Sequence, residues 1–105
     1  DDQTVPVLSL GGKGVISVAS NIIPSEMHEM ADYALKGDFK KAAELQLKYL
    51  GLLNALFCDV NPIPVKEAMN LMGMEVGNCR LPLVCSEESK IELIRNELGR
   101  FGLLK

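Results

Sequence analysis

The sequence has no tryptophan, only three phenylalanines and two tyrosines, and a single histidine, His28. So few aromatic faces give no platform for stacking bases. Positive charge is short as well: 11 Lys and Arg stand against 14 Asp and Glu, for a net charge of −3 and a pI near 5.1. A nucleic-acid surface needs a basic patch to displace counterions, and none is present. Cys58, Cys79 and Cys85 form no C-x-x-C pair, and their count is odd. With one distant histidine they are too few for a zinc site, and the pattern predicts reduced thiols of a cytoplasmic protein and no bound metal. No apolar run reaches the ~18 residues of a membrane span, so no membrane is expected as a partner. The opening "DDQT" is acidic, unlike a basic-then-apolar leader, and lacks an initiator methionine. An acidic pair followed at once by periodic apolar residues reads as the middle of a longer chain.

What remains is one small domain's worth of sequence, 105 residues, enough for a modest core. Thr4 to Gly12 fits a short helix or a strand: Thr4 suits a cap, Pro6 a first turn and Gly11 a stop. "GVISVAS", Gly14 to Ser20, is β-branched, bounded by glycine and Asn21, and has no clean polar face. It reads as a strand covered on both sides, as in a parallel sheet. From Pro24 the period becomes helical, with Met27, Met30, Ala31, Ala34 and Leu35 facing inward and Gly37 ending the run. Asp38 caps a following helix whose stripe holds Phe39, Ala42, Ala43, Leu50, Leu53, Leu56 and Phe57. Leu45, Leu47 and Leu52 widen that stripe and predict neighbours on more than one face. Pro62 and Pro64 fix the entry to a helix ending at Gly73, residues 74–85 are irregular, and Ser86 with Glu87 and Glu88 opens a last helix.

Local motifs assign little chemistry. In "GGKGVISVASN" the glycines precede the apolar segment, and no hydroxyl follows the lysine, so it is no phosphate loop. Lys13, between two glycines, reads as solvated at a chain corner, whereas an imine-forming lysine needs desolvation. Asp1 and Asp2 read as an exposed acidic pair. Glu26, His28 and Glu29 point around a helix rather than at one ion. The five methionines read as core filling, and Lys66 as a surface ion-pair partner. One histidine serves no persuasive nucleophile triad.

Longer strings are more telling. "DD" at the start, "LGGKGVISVASN", and "NPIPVKEAMNLMGM" with the later "CRLPLV" together closely resemble the dihydrodipicolinate synthase family of pyruvate-dependent class I aldolases. The resemblance extends over essentially the whole chain. It implies an α/β fold, here the C-terminal part of a (β/α)8 barrel with its last strand, followed by a C-terminal helical extension, so that this chain is mostly α. By that comparison residues 1–37 hold the seventh helix, eighth strand and eighth helix, and residues 38–105 the extension. Barrel active sites lie at the C-terminal ends of the strands, which puts "GGKG" on the opposite face.

The same resemblance implies function. The family condenses pyruvate with aspartate semialdehyde through a lysine Schiff base, without a cofactor, on the way to diaminopimelate and lysine, usually as a homotetramer. Ile16 matches the family isoleucine that lines the pyruvate site, and Asp1 lies near the substrate entrance. The family's Schiff-base lysine, relay tyrosine, hydroxyl pair and carboxylate-binding arginine all precede the first residue here. No catalytic residue is therefore expected in this chain, which on its own should be inactive and should pair with the N-terminal barrel portion. Two other readings stay open: a non-catalytic helical module that self-associates, and a subunit that complements a separate N-terminal piece.

Overall fold

The computed structural model describes every residue from Asp1 to Lys105. Its regular elements are α1 (Thr4–Ser9), a 3-10 turn (Ala19–Asn21), α2 (Pro24–Leu35), α3 (Phe39–Ala55), α4 (Ile63–Leu71) and α5 (Glu88–Arg100), with no β-strand. The chain divides into two compact units, Asp1–Leu53 and Asn54–Lys105. None of its helices is long and apolar enough to cross a membrane.

The glycines end the helices by one shared device. At α1 the Gly11 N–H reaches the Leu8 carbonyl and the Gly12 N–H the Val7 carbonyl, with Gly11 at φ 100°. This crossed pair is the Schellman motif, which satisfies carbonyls a helix end leaves open. It explains both glycines of "GGKG". Gly11 takes a left-handed conformation, and a Cβ on Gly12 would lie 2.9 Å from the Val7 oxygen. The same crossing recurs after α2, α4 and α5, at Gly37, Gly73 and Gly102. Asp38 then starts α3: its Oδ1 accepts the Lys41 N–H at 3.2 Å, and its carbonyl accepts the Ala42 N–H.

In the first unit, α1 and the 3-10 turn both pack on α2. Met27, Met30 and Ala34 of α2 are buried, as their helical spacing predicts, whereas Leu35, Phe39 and Leu47 are exposed. The expected strand does not form. Gly12 to Ser17 has no regular structure, and Ile16 is fully exposed. The cause is in the backbone: amides from Lys13 to Ser17 donate to nothing in the chain, and an extended segment is a strand only when a neighbour takes up its hydrogen bonds.

What fixes residues 1–19 instead is polar. The Gln46 side chain, on the apolar stripe of α3 and buried, accepts the Val5 N–H at 3.1 Å and donates to the Asp1 carbonyl at 3.3 Å. Thr4 sits just inside α1 rather than capping it, and its hydroxyl donates to that same carbonyl at 2.8 Å. The Asp1 carboxylate accepts the N–H groups of Val18 and Ala19, both at 2.9 Å on Oδ2. Asp1 is thus half-buried and engaged, not an exposed terminal acid.

In the second unit α4 packs on α5. The outer face of α4 pins the irregular segment: Asn70 bonds Val76 and Gly77, and Lys66 donates to the Asn78 carbonyl at 2.8 Å instead of forming an ion pair. Ser86 does not cap α5. Glu87 is the cap residue, without a side-chain bond, and the Ser86 hydroxyl donates to Asp59 Oδ2 at 3.3 Å. Asp59 also accepts the Val60 N–H at 2.7 Å and faces Lys90 Nζ at 3.3 Å. The Val60 N–H holds this carboxyl below its ordinary range; partial burial opposes it, and Lys90 and Ser86 reinforce it.

Two outcomes follow from these contacts. Gln46→Leu leaves the buried Val5 N–H unpaired and should lower unfolding stability in urea by about 1–3 kcal/mol. Asp59, with its pKa depressed in the fold, contributes stability above its unfolded pKa of about 3.9 that is lost as pH falls through the lower folded value. The gap in urea midpoint between the native chain and Asp59→Asn should therefore be widest near neutral pH and close under acid; a gap constant with pH contradicts this.

Candidate functional site

Residue by residue, most of the polar candidates resolve into structure. Lys13 is exposed at the corner after α1. Glu26, His28 and Glu29 on α2 do not converge, and no group of His, Cys, Asp or Glu side chains is arranged to hold a metal ion. The three thiols are unpaired; Cys58 and Cys79 are half-buried and Cys85 is exposed. Burial raises the Cys58 pKa, with Lys90 opposing, which makes that thiol a weaker nucleophile. No lysine is buried: Lys66 and Lys90 are half-covered and the rest are exposed.

One place brings two sequence-derived candidates together. Asp1, Gln3, Thr4 and Val7, at and before α1, face Gly14, Val15 and Ile16 across a groove of about 240 Å³. Local chain geometry makes this groove. The Schellman turn at Gly11 and Gly12 sends the chain out of α1, and the Asp1 carboxylate catches it again at Val18 and Ala19. Ile16 stands in the stretch between the two anchors with its side chain in the open. The groove offers apolar surface from Val7, Val15 and Ile16, and backbone carbonyls and amides that no neighbour occupies. It has no buried amine, and its one carboxylate, Asp1, is taken up by the Val18 and Ala19 amides, so it offers walls rather than a reacting group.

Sequence reasoning passed over Gln46 and read Thr4 only as a cap. The signal for Gln46 was present: Ala42, Gln46, Tyr49 and Leu53 follow helical spacing and all are buried, and a polar side chain in such a stripe requires a partner.

Comparison with known proteins identifies the family. The Dihydrodipicolinate synthetase family matches residues 1–99. A 4-hydroxy-tetrahydrodipicolinate synthase from Clostridium tetani is 54% identical over 105 residues, covering 100% of this chain and 36% of the relative. Solved structures agree in fold. The dihydrodipicolinate synthase of Thermotoga maritima superposes with a TM-score of 0.94 at 47% identity, over 98% of this chain and 35% of its own. That of Aquifex aeolicus gives 0.95 at 41% identity, over 99% and 36%. The chain spans about a third of the length of the relatives it matches, and its fold is the corresponding part of their (β/α)8 barrel architecture. On the strength of the family match and the agreement in backbone, this chain belongs to the dihydrodipicolinate synthetase family.

Proposed function

We propose that this chain supplies the last barrel strand and the C-terminal helical extension of a cytoplasmic synthase. The enzyme condenses pyruvate with aspartate semialdehyde through a lysine Schiff base, without a cofactor, toward diaminopimelate and lysine. Ile16 lines the pyruvate site, and Asp1 stands by its entrance. Residues 1–37 belong to the barrel and residues 38–105 to the extension. The observation that carries the reading is the bare state of Lys13 to Ser17: exposed apolar side chains and amides with no acceptor. A flanking barrel strand would pair those amides, and that closure would place Ile16 at the rim of an enclosed site.

The chain alone forms no imine in this reading. An amine attacks a ketone only when it is unprotonated, and desolvation is the usual means of achieving that near neutral pH. Every lysine here is exposed or half-covered, and both half-covered ones donate to oxygen acceptors.

Self-association is a second element of the proposal, supported by a separate observation. Val5, Pro6, Phe39, Ala43 and Leu47 line an almost wholly apolar groove of about 460 Å³ in the first unit. Leu47 in its wall is strongly exposed, as is Leu10 just after α1. A face of that kind suits a second copy of the same chain, as in a homo-oligomeric enzyme.

Imine trapping tests the central reading. With pyruvate and borohydride, no lysine of the 105-residue chain alone should carry a reduced pyruvyl group, whereas a complete barrel carrying this sequence should gain one on a lysine outside it. A stable adduct on any lysine of the chain alone would contradict the proposal.

A further inference from the structure

We infer that Asp1 is a positioning residue for the pyruvate pocket: by holding the Val18 and Ala19 amides, its carboxylate fixes the place of Ile16. The inference rests on the reading of Ile16 as a pyruvate-lining residue and assigns Asp1 a role other than contact with substrate.

The geometry leaves that carboxylate little else to do. Oδ2 already accepts two N–H donors, both at 2.9 Å. Oδ1 is buried and has no donor within the chain, so neither oxygen is presented to a substrate in the groove. Hydrogen bonds to an ionised acceptor are the strong ones, and these two close on consecutive amides at the start of the 3-10 turn. Asp1 is itself held: its carbonyl receives the Thr4 hydroxyl and the Gln46 amide. The restraint therefore runs from α3 through Gln46 to Asp1 and on to Val18, two residues beyond Ile16.

Between the Gly12 amide, bonded to Val7, and the Val18 amide, bonded to Asp1, no backbone N–H donates to the chain. A flanking strand would pair the middle of this stretch, and the Asp1 restraint sets its end, where the 3-10 turn begins. Ile16 lies near the second of these two anchors. Releasing it frees the backbone on which the Ile16 carbonyl and side chain are set, while the exposed neighbour Asp2 has no comparable bond.

The test uses the complete barrel enzyme carrying this sequence, with Asp1→Ala, Asp1→Asn and, as a control on an exposed carboxylate of α2, Glu29→Gln. Active sites are counted by borohydride trapping with pyruvate, so that rates are expressed per competent site. Asp1→Ala should raise the KM for pyruvate about tenfold with the KM for aspartate semialdehyde within about twofold of native, because a lost positioning contact weakens one substrate selectively. Asp1→Asn keeps a neutral acceptor of the same shape and should show a smaller rise in the same direction; it also serves if the alanine variant does not fold. Glu29→Gln should match native. An unchanged pyruvate KM in the folded variants, with only the number of competent sites reduced, would mean a merely structural role and overturn the inference. Absence of a trapped adduct in the unsubstituted enzyme would instead overturn the proposed function on which it rests.

Discussion

The carboxylate of Asp1 is the constraint on which the N-terminal part of the first unit depends. It takes two consecutive amides onto one oxygen and is held in turn by Gln46 from the middle of α3. Hydrophobic burial alone would not do this. Val5 and Leu8 anchor α1, and Met27 and Met30 anchor α2, but such contacts are non-directional and leave the intervening chain free to slide. Directional bonds from a buried amide and a carboxylate convert an unsupported loop into a segment with two fixed ends. The glycine crossing at Gly11 and Gly12 supplies one end, and Asp1 supplies the other.

The two units use their polar side chains alike. In the second, Asp59 gathers Val60, Ser86 and Lys90, and Asn70 with Lys66 gathers residues 76–78. Each time, a side chain on or beside a helix satisfies backbone or hydroxyl groups of an irregular stretch that has no ladder of its own. In a chain with no strand, this is how long connections meet the hydrogen-bond requirement of their backbone. The first unit keeps an apolar residue, Ile16, standing in the open beside a groove, and the second exposes Leu81 and Val84 on its irregular segment.

Much of this was legible in the sequence, and the reasons differ by element. Helical periodicity and glycine stops located α2 to α5 closely, because Gly37, Gly73 and Gly102 occupy the left-handed positions that end helices. Asp38 was readable as a cap for the same local reason. Gly14 to Ser20 has a strand's composition but forms none here, because composition reports a preference, while a strand is a pairing whose partner must be present. Leu35, Phe39 and Leu47 were assigned inward on spacing, yet spacing does not say how wide a buried face is. The Ser86 hydroxyl went to Asp59, a partner 27 residues away that local cap rules do not weigh. Ile16 as a candidate came from family strings rather than from periodicity, and the Asp1 and Gln46 bonds span 17 and 45 residues, beyond the reach of any local pattern.

Native-state hydrogen exchange, resolved at single amides in the 105-residue chain, tests the Asp1 anchor most directly. The account requires the Val18 and Ala19 amides to be clearly protected while those from Lys13 to Ser17 exchange near the rate of an unstructured peptide. If Val18 and Ala19 exchange as fast as that stretch, the carboxylate does not hold the segment, and the structural basis for the placement of Ile16 is gone.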